Sequence, residues 1–403
     1  MAQIIDISRE SNDPPTPMDR AKELQPLIAS HAAEAEEQGC IVPPVFEALK
    51  AAGLFRITVA RRAGGEGASM RTFVETVAEI GKVCPGSAWA YGLLTGTTGM
   101  VASLPHHMTQ QLSRRGDELS CFIGAKTGVA VKSGDGYVVT GQWPYASGCL
   151  HADWALCGVI VRDDSGAQID TGSLFIDLAS NDVEIVRDWN VAGMSASGSN
   201  RVKADGHAVP ATLFVRDSDL ANMAAFVGAN PPEPRDLWPF EPQFGLTVLP
   251  SMMGAAAGLL EAVRQKMNDR PIIGWQYDRQ SDSQQLLARL GEAAIKIDSA
   301  WMHVHRACDV VDRIAQERPA TIMEKVKTQA DCGYAMRLLR EAADILLDIA
   351  GPSTFVLSSP TQRLWRDLSV GSRHNALNAG LSLELLGRAM TGGKSNIRNM
   401  PEI

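Results

Sequence analysis

No dense run of lysine or arginine occurs along the 403 residues, and 38 basic side chains against 46 acidic ones leave a net charge of −8. Phosphate backbones bind concentrated positive faces, so no nucleic-acid partner is expected. The seven cysteines, Cys40, Cys84, Cys121, Cys149, Cys157, Cys308 and Cys332, are odd in number and never form a C-x-x-C. Buried thiols are therefore expected, rather than a disulfide framework or a structural zinc site. Also missing are G-x-x-x-x-G-K-[ST], H-E-x-x-H and G-x-S-x-G, which removes the usual signatures of nucleotide, zinc-protease and hydrolase chemistry. Gly64-Gly65-Glu66-Gly67 approaches a dinucleotide fingerprint but lies between helical segments, not after a strand. His303 and His305 are two apart in a helical stretch, on different faces, so no metal is expected. Long hydrophobic runs are scarce. The most apolar stretch, Leu246 to Val263, contains Pro250, Ser251 and Glu261 and reads as a packed core helix, not a membrane span. The amino terminus has no basic patch followed by an apolar segment, so it reads as a flexible lead-in and not a signal peptide. A cytoplasmic location without membrane contact is the expectation.

What is present falls into three textures after a lead-in over residues 1–17. Residues 18–118 are helical in period: Leu24, Leu27, Ile28 and Ala35 recur at helical spacing, Pro43 and Pro44 open a second helix, and Phe73, Val74, Val77 and Ile80 mark a third. A fourth begins near Trp89, after the Cys84-Pro85-Gly86-Ser87 break. Residues 119–232 change to short strand candidates, around Tyr137–Thr140, Trp154–Val161, Ser173–Leu178, Val183–Val186 and Thr212–Val215, separated by Gly, Asp, Asn and Ser at barrel-like intervals. Residues 233–403 return to long helical patterns over 284–316, 320–349 and about 381–390. Helices, then strands, then helices is not the alternation of a doubly wound fold.

The segment from Gly136 through Trp143-Pro144-Tyr145-Ala146-Ser147-Gly148 resembles the flavin-contacting strand and loop of the acyl-CoA dehydrogenase superfamily. Its continuation, Cys149-Leu150-His151-Ala152-Asp153-Trp154, is similar to the two-component flavin monooxygenase branch, which includes oxygenase components acting on 4-hydroxyphenylacetate, steroid-derived phenols and dibenzothiophene. Further likeness lies in Ala63-Gly64-Gly65, Gly86-Ser87-Ala88-Trp89, Asp188 through Ser199, and Leu364 through Asn378. The resemblance implies a mainly α fold with a central β-barrel: an N-terminal helical domain, the barrel, and a C-terminal four-helix bundle. It also implies a homotetramer and flavin bound between barrel and bundle.

A dehydrogenase of this family removes a proton alpha to a thioester carbonyl with a carboxylate base. Counting from Arg366-Asp367, the place where many members carry that glutamate holds Asn375, and an amide cannot serve. The oxygenase branch gains instead. Ser147 falls where monooxygenase relatives place a hydroxyl beside flavin N5, able to protect a C4a-hydroperoxyflavin. His374 falls where they keep a histidine near the substrate, to take a phenol proton or hydrogen-bond the peroxide. Strand alternation puts Trp143, Tyr145 and Ser147 on one face, with Ala146 beside them, as candidate flavin contacts. Thr127 and Gly124 on the preceding strand are further candidates. Arg279, Arg373 and the Gly351-Pro352-Ser353 break, with Ser358, are candidates for the flavin and its phosphate. Tyr91, Thr95, Phe122 and Asn375 are candidate substrate contacts. The expectation is an enzyme that uses diffusible reduced FMN or FAD, supplied by a separate NAD(P)H-dependent flavin reductase, and O2 to oxygenate an aromatic or heteroatom-containing small molecule. The alternatives are a dehydrogenase with a relocated base and a flavin-free, non-catalytic relative.

Overall fold

The computed structural model describes residues 14–229 and 231–397. Residues 1–13 of the expected lead-in lie outside the described residues. Thr16 and Asp19 form a reciprocal capping box that starts the helix Pro17–Glu23. The helices Pro43–Ala51, Met70–Gly81 and Pro85–Ala102 follow. The last of these starts four residues before Trp89, because Pro85 has the fixed φ and the missing N–H that suit a first helical position. Its residues are buried from Pro85 to Val101, so it runs through the interior. Gly92 makes this possible: a Cβ there would lie 3.0 Å from the Thr247 carbonyl of the crossing helix Phe240–Met267.

Seven strands follow: β1 Ser120–Ser133, β2 Gly136–Ala146, β3 Trp154–Arg162, β4 Gln168–Asp177, β5 Val183–Val186, β6 Asn200–Pro210 and β7 Phe214–Arg216. They form one sheet in the order β5-β6-β2-β1-β3-β4-β7. The expected barrel is corrected here: the sheet is open. Among the described residues β5 pairs only with β6 and β7 only with β4, so no pairing joins the two edges. Closure needs edge strands long enough to pair at a consistent stagger, and four-residue β5 and three-residue β7 are not. Register breaks at Ile123/Gly128 and Trp143/Ala146 bend the sheet without closing it.

The helices Phe240–Met267, Gln284–Ile314, Ile322–Ala350 and Ala379–Met390 form the C-terminal bundle, with Pro360–Gly371 packed on the first. The segment Phe244–Met267 is long and apolar enough to cross a membrane, but 72% of its most apolar window is buried inside the molecule, as in a core helix. It packs on Met70–Gly81, Pro85–Ala102 and Ile322–Ala350 and joins the helical layers.

Trp143 anchors the sheet. It is fully buried, its indole N–H donates to the Gly158 carbonyl at 2.7 Å, and the ring lies over the paired glycines Gly128 and Gly141. A Cβ at Gly128 would fall 2.2 Å from the ring. Gly128→Ala should therefore overpack this site, cost about 1–3 kcal/mol and lower the midpoint of a thermal melt. An unchanged midpoint would show that the ring can move aside.

Candidate active site

The loop after β2 and the loop before β6 meet over the buried helix Pro85–Ala102. Asp367, fully buried on the helix Pro360–Gly371, holds them there: one carboxylate oxygen accepts the Met194 amide at 2.5 Å and the other accepts the Gly86 amide at 3.3 Å. Burial pushes this carboxyl up to about 6. The short 3-10 turn Ser195–Ser197 follows Met194, and the Ser197 carbonyl accepts the Gly148 amide at 3.0 Å. These contacts bring three serines into line. Ser147 Oγ lies 2.7 Å from Ser199 Oγ, which lies 2.7 Å from Ser197 Oγ, and the Trp89 indole N–H donates to Ser147 Oγ at 3.2 Å.

His374 also packs on Trp89. Its ring centroid is 5.6 Å from the Trp89 ring and 5.3 Å from the Phe244 ring. It caps the short 3-10 turn Asn375–Leu377, with Nδ1 accepting the Ala376 amide at 3.2 Å. Burial pushes the imidazole down to about 4, so it is neutral at pH 7. A neutral ring whose Nδ1 accepts must carry its proton on Nε2. Phe240, one helical turn before Phe244, meets Phe122 of β1 edge-on at 5.6 Å. Ser147, Trp89, His374 and the phenylalanines thus outline a candidate cleft between sheet and bundle, with hydroxyls at one end and aromatic rings at the other.

The other sequence-predicted residues divide. Trp143 and Tyr145 do not share a face with Ser147, contrary to simple alternation. The register break at Trp143/Ala146 and a left-handed φ of 65° at Tyr145 turn the chain. Trp143 goes into the core, while Tyr145 is 68% exposed with its ring 5.7 Å from Trp189. Ala146 is buried next to Ser147. Tyr91 and Thr95 lie on the far side of their helix: the Tyr91 hydroxyl donates to the Leu54 carbonyl, and the Thr95 carbonyl accepts the Thr58 hydroxyl. Neither faces the cleft. Asn375 is exposed beside His374, and exposed Arg373 donates to Ser372 Oγ and the Ser369 carbonyl. Exposed Arg279 is paired with Asp282. Arg270, which the sequence reading passed over, is the arginine that reaches Ser353 and the Ala350 carbonyl beside Gly351. Ser358 is exposed two turns of chain further on. Phe240 and Phe244 were also missed, and Trp89, Ser197 and Ser199 lay in matched segments without being named as site residues. The i, i+4 spacing of Phe240 and Phe244 was a usable signal; the meeting of Ser147 with Ser199 left no local pattern, since the two are 52 residues apart in sequence.

Gly124 to Thr127 have no registered partner on β2 or β3, and Gly124, Ala125 and Thr127 are exposed. The Thr127 hydroxyl itself is used, donating to the Gln142 carbonyl at 2.7 Å. A surface groove of about 610 Å³ lies elsewhere, lined by residues that include Thr98, His106 and Trp154 and by none of the cleft residues above. The cleft is the better candidate because a hydroxyl and a perturbed imidazole both meet Trp89 there.

The model of the acyl-CoA dehydrogenase N-terminal domain matches residues 21–115, and that of the C-terminal domain matches 246–379. The chain belongs to the acyl-CoA dehydrogenase superfamily. Within it, the similar proteins are oxygenases. A pigment production hydroxylase from a Rhodococcus species is 27% identical over 92% of this chain and 95% of its own length. The oxygenase component of an FADH2-dependent resorcinol hydroxylase from a Rhizobium species is 26% identical over 91% of each chain. The solved structure of XiaF from a Streptomyces species, in complex with FADH2 and glycerol, superposes with a TM-score of 0.88 at 27% identity, covering 96% of this chain and 97% of that one.

A histidine with a folded-state value near 4, against about 6.5 unfolded, binds its proton less readily when folded. Its contribution to stability is complete above about pH 6.5 and is lost as pH falls toward 4. His374→Gln removes this dependence. The stability advantage of the wild type over the variant, followed by chemical denaturation, should shrink between pH 6.5 and 4 by up to about 3 kcal/mol. A constant difference would mean that the ring is not buried in the neutral form.

Proposed function

We propose that this protein is the oxygenase component of a two-component flavin-dependent monooxygenase that hydroxylates an aromatic small molecule. A separate NAD(P)H-dependent flavin reductase supplies reduced FMN or FAD, and the protein works as a homotetramer in the cytoplasm. The observation that carries this reading is that the Ser147 hydroxyl and the neutral His374 imidazole both meet Trp89, with Asn375 at the expected place of a carboxylate base. The buried carboxylate of Asp367 is no substitute for that base, because both of its oxygens accept backbone amides.

The residues that would hold the flavin are the unpaired backbone of Gly124–Thr127, Ala146 and Ser147 for the ring, and Arg270, Gly351 and Ser353 for a phosphate. Reduced flavin, when bound, supplies the electrons that activate dioxygen. Ser147 offers a hydroxyl at the polar end of the cleft. His374 holds a proton at Nε2 and is set to donate it in a hydrogen bond to an oxygen atom of substrate or oxidant. Of the two roles that a histidine could play here, this geometry favours donor over base, because a base would need a bare Nε2. Phe122, Phe240 and Phe244 give a flat substrate edge and face contacts and exclude water, which limits the escape of hydrogen peroxide. The relatives support this reading by their own activities: hydroxylases and oxygenase components that use reduced flavin.

The test mixes protein with chemically reduced flavin, labelled O2 and a panel of phenols and indoles, and measures labelled product and hydrogen peroxide. Product should appear without the reductase present in the tube. Ser147→Ala should raise the fraction of reduced flavin lost as hydrogen peroxide several-fold, and His374→Ala should lower product yield by roughly 10²-fold. Because His374 stays neutral down to about pH 4, yield should not show a His374 step between pH 5 and 8. Bleaching of bound oxidised flavin by acyl-CoA thioesters, with no product from any aromatic compound, would replace this reading by the dehydrogenase one.

A further inference from the structure

A hydroxyl group has one hydrogen to give and two lone pairs that accept, whereas an indole N–H only donates. Ser147, Ser199 and Ser197 form a line of three hydroxyls, 2.7 Å apart at each step, and Trp89 gives its N–H to the first. Two hydrogen orders are compatible with these oxygen positions. In the inward order Ser147 donates to Ser199 and Ser199 to Ser197, so the Ser197 hydrogen has no acceptor among the described residues. Ser197 is only 1% exposed, and a buried hydroxyl hydrogen without an acceptor is costly. In the outward order Ser197 donates to Ser199 and Ser199 to Ser147. Both lone pairs of Ser147 are then occupied, by Ser199 and Trp89, and the one hydrogen without an acceptor among the described residues sits at the less buried end of the line, on Ser147, 8% exposed, where a bound partner can accept it.

We propose that Ser199, backed by Ser197 and Trp89, is a positioning residue that fixes Ser147 as a hydrogen-bond donor toward the cleft. The role in catalysis rests on the oxygenase reading; the hydrogen order does not. Ser199 reaches this place through the backbone, since the Asp367–Met194 contact and the Gly148–Ser197 contact hold its loop against the loop of Ser147. Its carrier is a stretch that contains two left-handed residues, Met194 and Gly198, so the line of hydroxyls depends on a loop shape that ordinary strand geometry cannot supply.

The hydrogen order has a signature in the protein without flavin. In the outward order Ser199 and Trp89 compete for the Ser147 oxygen, so Ser199→Ala should strengthen the indole hydrogen bond and move the Trp89 Nε1 proton resonance downfield. In the inward order Ser199 polarises Ser147 cooperatively, and its removal should weaken that bond and move the resonance upfield. Trp89→Phe assigns the signal in tryptophan-labelled protein. A downfield shift supports the proposal; an upfield shift or none overturns it. With reduced flavin, Ser199→Ala should raise hydrogen peroxide release several-fold at an unchanged dissociation constant for oxidised flavin, with Ser199→Thr restoring coupling. The double variant Ser147→Ala/Ser199→Ala should release no more than Ser147→Ala alone, since Ser199 acts through Ser147. Additive effects would overturn the positioning role. Should Ser147→Ala itself leave peroxide release unchanged, the oxygenase assignment of Ser147 fails, and the direction of the resonance shift still decides the hydrogen order.

Discussion

The arrangement of the cleft depends on one buried carboxylate. Asp367 accepts two amides from places far apart in the chain, Gly86 at the start of the interior helix and Met194 in the loop before β6. Next to it, Arg366 donates to the Ala192 carbonyl at 2.6 Å, and Gly193 lies so close to the Arg366 backbone that a Cβ would fall 2.5 Å from its carbonyl oxygen. Arg363 and Arg366 both also meet Glu36 of the N-terminal helices. A single turn of helix therefore ties together the N-terminal layer, the sheet and the bundle. The cost is visible in the raised carboxyl value: the group is buried enough to resist ionisation, and two amide donors partly compensate. Trp89 and the Ser197–Ser199 stretch take their positions from this tie.

The textures of helix, strand and helix were legible in the sequence because period survives burial. The apolar face of Phe73, Val74, Val77 and Ile80 became a buried helix, and the runs 284–316 and 320–349 became Gln284–Ile314 and Ile322–Ala350. The state of the sheet was not legible. A barrel and an open curled sheet use the same strands and turns and differ only in whether two short edges pair, which no local pattern reports. Ser147 and His374 were singled out by likeness of motif, and both meet Trp89. Trp143 and Tyr145 were misplaced because alternation assumes an unbroken strand, and the positive φ at Tyr145 breaks it. Tyr91 and Thr95 were misplaced because a helix buried all round gives no amphipathic cue to which face meets the cleft.

This fold hosts both thioester dehydrogenation and oxygenation because neither chemistry is built into its framework. Asp367, the interior helix and the glycine contacts position a cleft; the cleft acquires its character from a handful of side chains on the loops around it. Here those loops offer an amide at Asn375, a hydroxyl at Ser147 and an imidazole between two rings. The same loops carry the two non-glycine residues with a left-handed φ among the described residues, Tyr145 and Met194, so the local strain of the sheet domain is concentrated in the loops of the candidate site.

The enclosure of His374 by Trp89 and Phe244 has a consequence for selectivity. A ring that gains no charge above about pH 4 offers no electrostatic reward to an anion and no penalty to a neutral guest. Sorting at that end of the cleft falls to outline and to the match of one directional N–H, so the guests admitted there should be insensitive to ionic strength and to the acidity of the surroundings.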